Sequence, residues 1–153
     1  MKVRRRRAAR ILLVDEAGRV LLLRGGDPAR PQAGTWWFTP GGGVEDGEGA
    51  AAAALRELRE ETGLQLNDAG PVVLRRHVEH EFEGQLYSQD EEFFLVRCAV
   101  FEVDTAGWTA TERRVVEEHR WWSTEALRRT AETVHPEDLV LVLKRLEGAQ
   151  SRG

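Results

Sequence analysis

The chain has 153 residues, 41% hydrophobic and 31% charged, with a formal net charge of −4, a length expected to build one domain with its own core rather than two. The acidic balance argues against a general affinity for nucleic acid, which needs a basic field, and no apolar run reaches membrane-spanning length. The lone Cys98 excludes an internal disulfide framework or a cysteine zinc site, and without a hydrophobic signal region behind the basic start the expected location is the cytoplasm.

Taken in order, Arg4 to Arg7 with Arg10 form a basic cluster that reads as a solvated flank. Ala8 to Val14 and Val20 to Leu23 are apolar runs joined by Asp15 to Arg19, the pattern of a hairpin with a left-handed glycine. Gly25 to Gly34 reads as a loop, Trp36 to Thr39 as a short strand, and Pro40 to Gly43 as a sharp turn without side chains. Ala50 to Ala54 and Leu55 are strong helix formers, Gly63 stands where a left-handed cap belongs, and Ala51, Ala54, Leu55, Leu58 and Thr62 form the stripe expected to pack.

Val72 to Phe82 predicts a strand, Glu83 to Gln85 a turn, and Glu92 to Val103 the longest buried strand, with Cys98 in the core. Thr105 to His119 reads as a polar loop, Arg120 to Trp122 as a short strand, and Ser123 as the cap of a helix through Arg129. Pro136 is expected to open the last helix, which ends near Leu146. The result is a single domain over 1–153, frayed at about 1–6 and 148–153.

Chemistry concentrates between Gly42 and Leu64. Glu57, Glu60 and Glu61 stand at i, i+3 and i+4, which brings three carboxylates to one helical face. Such like charges repel by a few tenths of a kcal/mol per pair on an exposed helix. The acidic cluster suits a hard cation, Mg²⁺ or Mn²⁺, which takes carboxylates, carbonyls, water and phosphate oxygens. The preceding glycines allow backbone to approach a ligand, and the helix N-terminus offers amides to a phosphate.

Gly42, Glu48, Arg56-Glu57-Leu58, Glu60-Glu61 and Gly63-Leu64 fill every fixed position of the Nudix box, and the chain resembles the Nudix hydrolase family on those residues. Gly34 to Pro40 is similar to the strand that leads into the box. The resemblance implies an α/β fold, an α/β/α sandwich around a mixed β-sheet. It also implies hydrolysis of a nucleoside diphosphate linked to another moiety, by attack of water at phosphorus with Mg²⁺ or Mn²⁺ as cofactor.

It further implies Glu57, Glu60, Glu61 and the Gly41 carbonyl as metal ligands, and Arg56 as an orienting residue. Glu57 is the first candidate base, followed by Glu118 or Glu117, with Glu112 in the same segment. Arg24, Phe38, Thr39, Gly41 and Gly42 are implied in substrate binding. The expected partner is the nucleotide substrate, with no stable nucleic acid or membrane partner and a homodimer left open.

Two other classes compete. A Nudix-like domain can serve as a catalytically silent nucleotide-sensing or protein-binding module, but the chain keeps every carboxylate of the box. An isomerase acting on an isopentenyl-type diphosphate would need a cysteine beside the substrate carbon. Trp36, Trp37, Trp121 and Trp122 read as core and edge aromatics more readily than as base-stacking groups. His77, Glu79 and Glu81 read as a solvated strand face, with His80 on the opposite one.

Overall fold

The computed structural model describes residues 2–152, with side chains described over 2–148. A mixed sheet is built from β1 (Val3–Val14), β2 (Val20–Gly25), β3 (Trp36–Phe38), β4 (Gly41–Gly43), β5 (Val72–Phe82), β6 (Gln85–Arg97), β7 (Val116–Trp122) and β8 (Val134–His135). Its helices are α1 (Ala50–Thr62), α2 (Ala110–Val115), α3 (Thr124–Arg129) and α4 (Leu139–Arg152). The strand order is β5-β6-β1-β2-β3-β8, with β4 also on β1 and β7 also on β2.

β1 organises the sheet because its apolar half is buried on both faces. Leu12 and Val14 point to one core with Val20, Leu22, Trp37 and Trp122, closed by Leu127 of α3 and Leu139, Val142 and Leu143 of α4. Ala9, Ile11 and Leu13 point to the other, closed by Ala53, Ala54 and Leu58 of α1. Period-two alternation along one strand thus feeds both layers of an α/β/α sandwich. Leu58 is 1% exposed, and truncating such a leucine to alanine costs about 2–5 kcal/mol.

Several expectations are corrected. The basic start is not frayed: Val3 to Arg6 pair in parallel with Leu86 to Gln89 of β6, so Arg4 to Arg7 belong to a strand. At the other end, α4 begins at Leu139 rather than Pro136 and continues past Leu146, while Met1 and Gly153 lie outside the described residues. Pro40 to Gly43 is not a free turn, because Gly41 to Gly43 pair with Ala8 to Arg10 as β4. Within α1, Ala51 is exposed and the packed face instead carries Ala53, Ala54, Leu58, Glu61 and Thr62.

β6 starts earlier and ends at Arg97, so Cys98 to Val103 is not strand, and Cys98 is only partly buried against the α1-side core. The predicted polar loop from Thr105 to His119 contains α2 and the first half of β7, whose Leu21↔Trp121 and Arg24↔Glu118 register completes the sheet beside β2.

Candidate active site

α1 begins at Gly49 without a side-chain cap and stops at Gly63, which is left-handed (φ 82°) and returns its N–H to the Arg59 carbonyl. Glu61 follows Ala54 and Leu58 at helical spacing on the packed face, so its carboxylate enters the protein and is 3% exposed. There the Gly41 N–H donates to Glu61 Oε1 at 2.8 Å. Burial pushes the Glu61 carboxyl well above its ordinary range, reinforced by the charges of Glu57 and Glu112 and opposed by the Gly41 amide.

Glu57, Glu61 and Glu112 converge, with one ligand atom from each lying within 4.8 Å of the others. Glu60, expected among the ligands, stands beside this group rather than in it: its Oε2 is 3.5 Å from Arg56 Nη1 and its side chain is 31% exposed. Partial burial and the Glu57 charge raise its carboxyl. Glu118, expected as a second base, is not brought in. It pairs instead with Arg24 at 3.0 Å across the β2–β7 ladder and with Arg120 of its own strand at 2.9 Å, and Glu117 faces Arg24 at 3.7 Å.

Glu112 reaches the group through a capping box. Thr109 Oγ1 accepts from the Glu112 N–H at 3.1 Å, and the Thr109 N–H donates to Glu112 Oε1 at 2.8 Å. The Thr109-x-x-Glu112 spacing was the available sequence signal, hidden in a stretch without apolar periodicity.

Arg56 binds the box together. Its Nε and Nη2 grip Glu48 at 2.9 Å each, Nη2 also donates to the Gly43 carbonyl at 3.0 Å, and Nη1 donates to Glu57 Oε1 at 3.0 Å. The bidentate pairing raises the guanidinium pKa and pulls the Glu48 carboxyl down to about 2. The orienting role expected of Arg56 is therefore exerted mainly on Glu57, at 3.0 Å against 3.5 Å for Glu60.

The glycines serve this packing. Gly41 has φ 143°, and a Cβ there would lie 2.3 Å from the Ala9 carbonyl oxygen, so only glycine lets β4 lie against β1. A Cβ on Gly42 would meet Glu57 Oε1 at 2.5 Å. Of the other residues implied in substrate binding, Phe38 is half-buried opposite Leu23 and His135, and Thr39 is 2% exposed. Arg24 lies over the Trp37 ring at 5.5 Å, held by Glu118, Glu132 and Glu117.

Arg6 was missed, read as solvated flank. It is half-buried with its guanidinium 5.4 Å from the Tyr87 ring centroid, and Tyr87 stacks on His80 at 5.2 Å. Its Nε is buried with no hydrogen-bond partner among the described residues, beside Gly43, whose absent Cβ leaves room for it. Burial and the neighbouring Arg10 lower its pKa, against the opposing charge of Glu57. Arg6 and Tyr87 line a groove of about 970 Å³ that continues past Glu45 and Glu48 of the box.

The remaining candidates fall outside the acidic cluster. His77 pairs with Asp90 at 2.7 Å on an exposed face, where both border the groove that Arg6 and Tyr87 line. Trp37 and Trp122 pack edge to face in the core at 5.0 Å, whereas Trp121 meets Phe101 and Trp36 meets His135. Cys98 borders a separate cavity with Val14, Asp15 and Leu143, its thiol pushed up to about 11 by burial and then by Asp15 and Glu16. Among the described residues no helix is long and apolar enough to cross a membrane.

A family model described as NUDIX domain matches residues 4–143. The chain is 31% identical over 128 residues to an RNA pyrophosphohydrolase of Novosphingobium aromaticivorans, covering 76% of this chain and 76% of that protein. It is 32% identical over 120 residues to an isopentenyl-diphosphate Delta-isomerase of Mycolicibacterium vanbaalenii, covering 78% of this chain and 63% of that protein. The crystal structure of the MutT protein from Methanosarcina mazei Go1 superposes with a TM-score of 0.68 over 98% of both chains at 22% identity, a likeness of fold.

Proposed function

Because the chain belongs to the NUDIX domain family and is a hydrolase, we propose that it cleaves a phosphoanhydride bond of a nucleoside diphosphate linked to another group, using Mg²⁺ or Mn²⁺. The observation that carries this reading is the convergence of Glu57, Glu61 and Glu112 within 4.8 Å. An oxygen-only set with this much negative charge, one member buried, suits a hard divalent cation. The family resemblance adds Glu60, the neighbour of Glu61 on α1, and the Gly41 carbonyl as further candidate ligands. When bound, such an ion offsets charge on the phosphate oxygens and makes a coordinated water more acidic.

The chain's own residues supply the rest. Arg56 holds Glu57 in place while Glu48 holds Arg56. Water attacks one phosphorus, the bridging P–O bond breaks, and a proton of that water passes to a carboxylate, Glu57 before the others. Arg6 lines the groove beside the box and offers its guanidinium charge to a substrate phosphate, and the groove takes the remainder of the substrate. Against the competing reading of the sequence, a silent sensing module, stands the complete set of box carboxylates that the chain keeps.

The name of the Novosphingobium relative, RNA pyrophosphohydrolase, puts pyrophosphate-bearing RNA on the substrate panel beside nucleoside triphosphates, dinucleoside polyphosphates, ADP-ribose and nucleotide sugars. Monophosphate or phosphate release is measured with Mg²⁺ and with chelator, for wild type and Glu61→Gln. Turnover that needs the cation and is lost in the variant is expected; turnover undiminished by chelator or by the substitution would overturn the reading.

A further inference from the structure

We propose that Trp108 is a positioning residue for Glu112, latching the segment that carries this third carboxylate onto the C-terminal end of α1. The inference rests on the metal-site reading above. The Trp108 indole Nε1–H donates to the Glu61 backbone carbonyl at 2.7 Å, one of the carbonyls that the end of a helix leaves without an intrahelical partner. The Asp104 N–H donates to the next carbonyl, that of Thr62, at 3.0 Å. Gly107 lies against the same turn, where a Cβ would come within 2.8 Å of the Glu60 carbonyl oxygen.

Three consecutive residues of α1, Glu60 to Thr62, therefore dock residues 104–108. The segment is also tied to itself. Asp104 Oδ1 accepts from the Ala106 N–H at 2.9 Å, and the Arg113 Nη2 donates to the Thr105 carbonyl at 3.1 Å. Immediately after Trp108, Thr109 caps α2 and takes one oxygen of Glu112, Oε1, through its N–H. Oε2 is left uncommitted among the described residues. The chain of contacts runs from the backbone of Glu61, through the indole and the cap, to the carboxylate that joins the Glu61 side chain. One residue of α1 thus supplies both a carboxylate of the site and the anchor for its partner.

A purely structural tryptophan would contribute to folding and leave the cation alone. A positioning tryptophan acts on cation affinity only while Glu112 is present. The test is Mn²⁺ affinity by titration calorimetry on the substrate-free protein, in wild type, Trp108→Phe, Thr109→Ala and Glu112→Gln, and in the two double variants with Glu112→Gln. Phenylalanine keeps the ring and removes only the donor, and Thr109→Ala removes the Oγ1 that accepts from the Glu112 N–H, the side-chain half of the capping box that seats Glu112, should Trp108→Phe fold poorly.

We expect each single variant at 108 or 109 to weaken Mn²⁺ binding by about tenfold, the lower end for groups that orient metal ligands, with no further loss when combined with Glu112→Gln. Affinity equal to wild type, or the same tenfold loss in the Glu112→Gln background, would overturn the proposal. Wild-type protein that binds no Mn²⁺ would instead overturn the metal-site reading beneath it.

Discussion

Arg56 and Glu48 form a bidentate pair, Nε to Oε2 and Nη2 to Oε1 at 2.9 Å each. The pairing leaves Nη1 to reach Glu57 at 3.0 Å. A planar guanidinium can do both at once, and a lysine ammonium cannot. Arg56→Lys is expected to lower kcat about 10–100-fold, as for groups that orient metal ligands, with folding retained. Activity within twofold of wild type would show that Glu57 needs no such support.

The same pair predicts an acid dependence. The folded pKa of Glu48, about 2, lies below the roughly 4.3 of an unfolded glutamate. Its stabilising contribution is therefore present above pH ~4.3 and lost as pH falls toward 2. Wild type should melt higher than Glu48→Gln near pH 6, and the gap should close on acidification. Parallel melting curves at all pH values would contradict the assignment.

Glu61 carries the opposite sign. Burial raises its folded pKa, so the folded state holds a proton that the unfolded chain releases above pH ~4.3. Its relative stability is fully present below that pH and is lost as pH rises through the folded pKa. Glu61→Gln keeps an acceptor for the Gly41 N–H without the charge. It should melt higher than the metal-free wild type at neutral pH, while the rise in melting temperature that Mn²⁺ gives the wild type through mass action should disappear. A variant less stable than metal-free wild type would contradict the buried-charge account.

Gly42 separates site geometry from folding. The atom an alanine Cβ would meet is Glu57 Oε1 at 2.5 Å, the far end of a side chain that can move. Gly42→Ala should therefore keep its melting temperature within a few degrees, a change of about 1 kcal/mol or less, yet lose cation affinity because Glu57 is displaced. Loss of both together would mean that β4 itself cannot tolerate the methyl.

Much of this site was legible in the chain because α1 announces itself: the alanine run, the apolar stripe and Gly63 define a helix, and helical spacing then places Glu57 and Glu61. Which of the clustered acids join was not legible, since Glu60 and Glu61 differ only by one step of helical rotation, and packing of Ala54 and Leu58 decides that Glu61 points inward. Glu112 was among the candidate bases of its segment, but its place beside Glu57 and Glu61 was not legible, because a six-residue capped helix lacks the periodicity that reveals a longer one. Arg4 to Arg7 read as a charge run because their strand character comes from pairing with the distant β6. Cys98 to Val103 read as strand from its apolar content, but Cys98, Phe101 and Val103 pack against the α1-side core outside any ladder.

The proposed cation site joins α1 to α2 through Glu57, Glu61 and Glu112, whose ligand atoms converge within 4.8 Å. Its most direct test is Mn²⁺ binding and hydrolysis in Glu112→Gln beside Glu118→Gln. Glu112→Gln is expected to bind Mn²⁺ at least tenfold more weakly with a matching loss of turnover, and Glu118→Gln to stay close to wild type because its carboxylate is engaged by Arg24 and Arg120. Wild-type Mn²⁺ affinity in Glu112→Gln, with the loss falling on Glu118→Gln, would contradict it.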